Sequence, residues 1–334
     1  MNSEEIIFAV ERIEHLEKVF DEVKTAFETD PDFFENDAMQ KKVSLLTQYM
    51  ESGQWLRDFE LDEKGKLPAD LKRGILSEDG LYNLVCDIEQ SKHKKSGPLI
   101  NLFDKNGILF AILWIVIYVV GFGTMDGISE SIGIPKLLTV IFGAVISAVI
   151  LAFIKKNNLS ERFGLCNFKG NPKDFLFFIP LAVISTASTW SGLSFGIAPL
   201  TALLSIIAMC FVGFLEEIMF RGMLFGEMRK NGIKSAIIVS SLTFGVGHIV
   251  NLLMGAPVFE TLLQLVYASA VGFCYTAIFH KGKSLWPCII SHAAVNSLSV
   301  FGAEPNTAML IAVSAIQTLV GIGYGAWILK KGDQ

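Results

Sequence analysis

The sequence predicts an all-α protein in two parts, a soluble helical domain over residues 1–96 and a polytopic membrane bundle of about eight spans over residues 97–334. Three observations predict it. Hydrophobic residues fill 51% of 334 positions and mean hydropathy is +0.48, too apolar for a soluble chain of this size. The apolarity is uneven: the first part is rich in Glu, Asp and Lys, whereas from Ile108 onward apolar runs of about 18 to 25 residues follow one another. The breaks between those runs alternate in charge, as they do in a chain that crosses a bilayer back and forth.

In the first part, apolar residues recur in 3,4 alternation from Ile6 through Ala9, Ile13, Leu16, Phe20 and Val23 to Phe27, which predicts an amphipathic helix that must pack against something. A second helix over 37–51 carries Met39, Val43, Leu46 and Met50 on one face and stops at Ser52-Gly53. Residues 62–68 read as a turn, and Ser77-Glu-Asp ahead of Leu81 reads as a helix N-cap. The segment Ser91-Lys-His-Lys-Lys-Ser-Gly-Pro reads as a basic, flexible linker placed to touch anionic headgroups.

Eight apolar spans follow, over 107–124, 136–154, 174–194, 198–228, 234–254, 258–280, 284–301 and 307–329. Lysines and arginines before the first span, after the second, between the fourth and fifth, between the sixth and seventh and after the eighth all fall on one side. The alternate loops carry Asp126, Glu130 and Glu304. The positive-inside rule then predicts a multi-pass protein of the cell membrane with both termini and the soluble domain in the cytoplasm. An N-terminus that opens on Asn, Ser and two Glu is not a signal peptide. A net charge of −5, with no basic patch interleaved with aromatics, excludes nucleic acid as a partner and leaves the lipid bilayer. The five cysteines form no Cys-x-x-Cys pair and read as small buried hydrophobes.

Charge within a bilayer costs several kcal/mol, and three spans carry polar groups. The fourth has Glu216, Glu217 and Arg221, the fifth Phe244, His248 and Asn251, and the seventh His292 and Asn296. Glu217 and Arg221 are four apart and neutralise each other on one helical face, whereas Glu216 points about 100° away. Glu216, His248 and Asn296 lie 13, 14 and 13 residues from the basic flanks at Arg229, Lys234 and Lys283, respectively. At about 1.5 Å per residue that is about 20 Å, one shared layer if each helix is continuous. The expectation is an intramembrane site reached from the cytoplasmic side.

A glutamate and a histidine that converge on a water can deprotonate it, since burial makes a carboxylate a competent base near neutral pH. A second histidine and an amide can donate hydrogen bonds to the oxygen that becomes anionic when a carbonyl is attacked. These parts describe amide hydrolysis. Ser291 adjoins His292 but points elsewhere, and Cys210 is more than a turn from Glu216, so neither reads as a nucleophile paired with a base. His280 reads as an interfacial residue; Glu260, Gln264 and Tyr267, near the outer end of the sixth span, read as packing or outer-loop contacts ahead of the alternative that they line a cavity.

Glu216-Glu217-x-x-x-Arg221, Phe244-x-x-x-His248 and His292-x-x-x-Asn296, in this order on separate spans, resemble the three motifs of the CPBP intramembrane protease family, which includes the type II CAAX prenyl endopeptidases and bacterial proteins linked to bacteriocin self-immunity. The resemblance covers residues 100–330, with its core at 200–300. It implies an intramembrane endopeptidase acting on a hydrophobic or membrane-associated protein or peptide. In it Glu216 and His248 activate water, His292 and Asn296 form the oxyanion site, and Glu217, often counted with the active residues, pairs with Arg221; Phe244 gives structural support. A divalent metal such as zinc on Glu216, His248 and His292 stays open, which would make the protein a metalloprotease, although the sequence lacks a His-Glu-x-x-His helix. Leader or signal-peptide processing is the expected substrate class, in preference to a prenylated tail. The alternative is a non-catalytic membrane scaffold or immunity protein that binds partner membrane proteins. Over residues 8–88, Gly53-Gln-Trp-Leu-Arg-Asp-Phe-Glu and the stretch from Leu67 to Tyr82 resemble an uncharacterised small acidic bacterial domain family, read as an interaction or regulatory module.

Overall fold

The computed structural model describes residues 3–30, 33–34, 36–77, 79–92 and 98–331. Residues 93–97 of the expected linker and Glu78 of the expected cap lie outside the described residues. The chain divides into two compact units, one up to Lys95 and one over Ser96–Lys331, and each is described by itself.

The first unit holds α1 (Ser3–Thr29), α2 (Asp37–Glu51), α3 (Gln54–Glu63) and α4 (Gly80–Lys92). The apolar stripe of α1 finds its partners in α2 and α4: Ile13, Leu16, Phe20 and Val23 pack with Val43, Leu46, Leu81 and Ile88 in one buried core. Asn36 caps α2 by accepting from the Ala38 and Met39 N–H groups, and Ser77 Oγ accepts from Gly80 N–H where α4 begins. Helix α3 was not expected from the sequence. It holds Asp58, fully buried, where the Arg12 guanidinium grips both carboxylate oxygens at 2.8 and 2.6 Å and Tyr49 OH donates at 2.8 Å. Burial and the Asp58 charge hold the Tyr49 phenol well above its usual pKa. Glu17, also buried, accepts from the Gly74 and Ile75 N–H groups at 3.0 and 2.6 Å and fixes the loop before α4.

The second unit is a multi-pass membrane bundle of α5 (Pro98–Lys105), α6 (Gly107–Ser131), α7 (Leu137–Lys156), α8 (Ile179–Thr186), α9 (Pro199–Glu217), α10 (Gly226–Met228), α11 (Ile233–Gly247), α12 (Val250–Leu253), α13 (Val258–Gly282), α14 (Trp286–Ser299) and α15 (Thr307–Lys331). Among the described residues six helical stretches are long and apolar enough to cross a bilayer: Gly107–Ser131, Leu137–Lys156, Pro199–Asn231, Ile233–Leu253, Val258–Gly282 and Thr307–Lys330. Six of the eight expected spans are such stretches, and the other two, over 174–194 and 284–301, hold shorter helices. Over 174–194 the chain breaks into 3₁₀ turns around an eight-residue α8, because Pro180 has no N–H to bond back one turn and can sit only at a helix start. Helix α14, opened by Pro287 near its N-terminus, has 14 residues. At about 1.5 Å per residue it is about 21 Å long, short of an about 30 Å hydrocarbon core.

Helix α13 is the hub, with α15 and α11 against it, while α9 packs on α14 and α7. Its residues from Ala268 to Val271 and from Cys274 to His280 are nearly all buried. Phe103, Phe110, Phe153 and Phe163 build an aromatic core where α5, α6 and α7 meet, and the Arg162 guanidinium lies 4.7 Å from the Phe103 ring centre while pairing with Glu227. A cation over a ring face with a buried carboxylate beside it keeps that charge satisfied.

Candidate active site

Helix α9 begins with Pro199 in its first turn and ends at Glu217, where the chain runs without a break into a π-helical stretch, Ile218–Phe225, whose residues are all buried. One turn before the glutamates is Gly213. A Cβ there would lie 2.6 Å from the Ala293 backbone nitrogen, so only glycine lets α9 and α14 approach this closely. That approach sets His292 beside both glutamates.

The imidazole of His292 is held from two sides. Its Nδ1 is 2.8 Å from Glu217 Oε1, and its Nε2 is 3.5 Å from Glu216 Oε2. Glu217 Oε1 also accepts from Arg221 Nη1 at 3.0 Å, and both members of that pair are 0% exposed. The Arg221 guanidinium lies 4.1 Å from the Phe244 ring centre and 5.7 Å from that of Tyr275, so π faces stand where Nε and Nη2 find no acceptor among the described residues. Gly272 makes room for it: a Cβ there would come 2.9 Å from Arg221 Nη2. With its charge balanced by Arg221, Glu217 can accept a hydrogen bond from His292 Nδ1–H and fix the ring's orientation.

Glu216 has a partner that the sequence did not announce. Its Oε1 accepts from Tyr118 OH at 2.6 Å, from the middle of α6. Its side chain keeps 14% of its surface exposed, so it is reachable where Glu217 is sealed. The only sequence signal for Tyr118 was a phenol deep in an otherwise apolar run, where a hydroxyl needs a partner.

His248 is the C-cap of α11 and half-buried, with Nδ1 3.0 Å from the Phe244 carbonyl oxygen. The Phe244 ring stands edge-on to both His248 and His292, at centroid distances of 5.3 and 5.7 Å, and spaces the two imidazoles apart. Asn251 is turned away and donates to Gln264 at 2.8 Å. Asn296 is half-buried, and its side-chain amide makes no hydrogen bond among the described residues.

A cavity of about 370 Å³ runs beside these groups, and its wall includes His248, His292 and Asn296 together with Phe244 and Tyr275. Glu216 is not in that wall and reaches it through the His292 Nε2 edge. The structure thus brings together Glu216, Glu217, Arg221, Phe244 and His292 by direct contact, and His248 and Asn296 by a shared cavity.

The cavity wall also takes in the exposed Glu304 and Pro305 in the loop before α15. Three expectations change. Gln264 and Tyr267 line the cavity instead of packing elsewhere, because α13 turns that face inward; Glu260 stays exposed. His280 is buried against Phe225 at 6.2 Å between centroids, since α13 remains covered to its end. Cys210 is exposed, its Sγ 3.7 Å from Ser297 Oγ, whereas Cys274 and Cys288 are buried as expected. Ser291 is engaged by Ser185 and Tyr275, at 3.0 and 2.9 Å, away from the glutamates.

Among the described residues no group of three or more His, Cys, Asp or Glu side chains converges as a metal ion requires. Glu216, His248 and His292 do not close into such a group. Both nitrogens of His292 already face carboxylates, and His248 Nδ1 faces a backbone carbonyl.

Comparison with known proteins covers the same segment. Residues 198–298 match the family described as "Type II CAAX prenyl endopeptidase Rce1-like", and residues 13–94 match a domain of unknown function, DUF4298. A curated relative, "Putative membrane peptidase YdiL" of Bacillus subtilis (strain 168), is 31% identical over 99 residues, which are 29% of this chain and 36% of the relative. The chain thus spans about a third of that relative's length. No solved structure matches the chain. The matched segment, 198–298, holds all seven motif residues from Glu216 to Asn296 and is similar to the Rce1-like type II CAAX prenyl endopeptidases.

Proposed function

We propose that this chain is an intramembrane endopeptidase that hydrolyses a peptide bond of a hydrophobic or membrane-associated peptide or protein. The observation that carries the reading is one imidazole held between two adjacent carboxylates, Glu217 at Nδ1 and Glu216 at Nε2, at the wall of a cavity shared with His248 and Asn296. The two carboxylates have different work. Glu217, sealed with Arg221, orients His292; Glu216, reachable and steadied by Tyr118, is the base.

Glu216 takes one proton from a water at the His292 edge of the cavity, with His248 as the second group on that water. The hydroxide oxygen bonds to the carbonyl carbon, and the C=O π electrons move onto the carbonyl oxygen. His292 Nε2–H and the Asn296 amide donate to that oxygen as its charge develops. When the tetrahedral intermediate collapses, the C–N bond breaks and the proton held by Glu216 goes to the departing nitrogen, which leaves an amine and a carboxylic acid that gives its proton to solvent. No step in this sequence is routed through a metal.

Function in the cell separates this reading from a scaffold. Glu216→Gln keeps size, shape and the Tyr118 hydrogen bond but removes the base. If the variant accumulates and folds normally, an enzyme loses its cellular function and a scaffold keeps it. Both termini and the first unit lie in the cytoplasm on this reading, as the basic loops favour.

A further inference from the structure

Helix α15 lines the cavity with Leu310, Val313, Ser314 and Gln317, spaced i, i+3, i+4 and i+7, so one face of the helix is turned to the site over two turns. Beyond them the same face is pressed onto α13. A Cβ at Gly321 would lie 2.7 Å from the Ala270 carbonyl oxygen, and one at Gly325 would lie 3.1 Å from Cys274 Cα. The two helices therefore run parallel, turn against turn. Gln317, one turn before Gly321, comes level with Val266 and Tyr267, one turn before Ala270.

Gln317 is 7% exposed, yet its side-chain amide borders the cavity and makes no hydrogen bond among the described residues. Other polar side chains of these helices are engaged. Thr276 donates to the Gly272 carbonyl and Thr318 to that of Ser314, each bonding back onto its own helix, and Tyr324 donates to the Phe175 carbonyl. Gln264, across the cavity, accepts from Asn251. An amide buried in a membrane helix without a partner costs free energy. One turned into a cavity recovers that cost when a ligand supplies the partner.

We propose that Gln317 is a substrate-binding residue that holds one peptide unit of an extended chain by both ends, Nε2 donating to its carbonyl oxygen and Oε1 accepting from its N–H. This rests on the endopeptidase reading and gives that site an element that recognises main chain. A side-chain amide carries its donor and acceptor in one plane, as a peptide unit does, so the two can pair head to tail. A helical residue cannot use it, because its N–H and C=O are already bonded within the helix. Proline has no N–H for Oε1, and a hydrocarbon chain offers neither group. The segment held at Gln317 is therefore extended and has no proline at that place.

The register of α13 and α15 also gives the subsite. The Tyr275 ring centre is 6.0 Å from that of His292, and Tyr267, level with Gln317, lies eight residues earlier on the same helix. At about 1.5 Å per residue that is about 12 Å along the axis. An extended chain covers about 3.3 Å per residue, which places the peptide unit at Gln317 about four residues from the scissile bond.

The test uses the full chain in detergent micelles. Without peptide, Gln317→Leu is expected to unfold no lower than the unsubstituted chain, because it deletes an unpaired buried amide. A fall of about 5 °C or more overturns the proposal, since Gln317 would then hold the fold together. Binding is read with Glu216→Gln in place throughout, so nothing is cleaved. The probe is an acetylated and amidated decapeptide of alternating leucine and alanine with a central benzoylphenylalanine for photocrosslinking. Gln317→Leu is expected to raise the peptide concentration for half-maximal crosslinking to the cavity wall by about tenfold, the loss of two hydrogen bonds. A matching depsipeptide, in which ester oxygens replace the N–H groups, is expected to bind more weakly than the peptide by a factor about fivefold larger with Gln317 than with Leu there. No crosslinking to the cavity wall, or the same half-maximal concentrations with Gln and Leu, overturns the proposal. This arm needs no turnover, so a failed assignment of Gln317 and a failed endopeptidase reading are told apart. Where new peptide termini form in cells, proline is expected to be missing about four residues to one side of the cleaved bond with the intact chain and to appear there with Gln317→Leu. Proline at that place on both sides with the intact chain overturns the assignment.

Discussion

Arg221→Met removes the cation from the most deeply buried ion pair of the site. Glu217 is then a carboxylate with no exposed surface and only His292 Nδ1 as a donor, because its Oε2 has no hydrogen-bond partner among the described residues. Breaking a buried pair by removing one partner costs about 3–5 kcal/mol. In a membrane unit of this size that is a fall of about 10 °C in unfolding temperature. Removing both charges behaves differently. In Glu217→Gln/Arg221→Met the amide oxygen still accepts the His292 Nδ1 proton and no charge is stranded, so about 2–3 kcal/mol is recovered relative to the sum of the single variants. Thermal unfolding of the four proteins in matched detergent micelles measures that coupling. The ion-pair account is refuted if Arg221→Met costs the same whether residue 217 is Glu or Gln, since the loss would then come from packing against Phe244 and Tyr275 alone.

Other perturbations follow from the same contacts. Tyr118→Phe deletes only the hydroxyl that donates to Glu216 at 2.6 Å; hydrogen bonds to charged groups are worth about 1.5–3 kcal/mol, so kcat is expected to fall about tenfold to hundredfold with KM little changed, and steady-state kinetics on a cleaved peptide checks it. Asn296→Ala removes an oxyanion donor and is expected to lower kcat by about 10²–10³ without loss of protein abundance; a smaller effect than on KM would move Asn296 to substrate binding. Arg12→Ala strands the buried Asp58 of the first unit with Tyr49 and Gln54 as donors, and hydrogen exchange on the full chain is expected to show protection of α1 and α3 reduced by about 3 kcal/mol.

Much of the site was legible because its residues keep i,i+4 spacing on separate apolar runs, and that spacing survives whatever the helices do around it. Glu217 meets Arg221, and Phe244 meets His248, at that spacing. Tyr118 was not legible, because its partner lies 98 residues away and a lone tyrosine in an apolar helix has no local pattern. The π-helical stretch after Glu217 also leaves no trace in periodicity, since Ile218–Phe225 is buried on every side and has no polar face to count from. Apolarity does not report continuity: residues 174–194 are apolar, but Pro180 restarts the helix there. Depth from the basic loops put Glu216, His248 and Asn296 in one layer, and the structure sets Glu216 against His292, with His248 and Asn296 on one cavity; hydropathy does not tell packed residues such as Ile278, Phe279 and Leu285 from a channel.

The central claim is that Glu216 and His248 act on a peptide bond. Its most direct measurement is a comparison of membrane-protein termini in cells expressing the intact chain, Glu216→Gln or His248→Ala at matched abundance. The account predicts new peptide termini only with the intact chain. The same termini in all three strains, together with a cellular function that the variants retain, would contradict it and leave a scaffold.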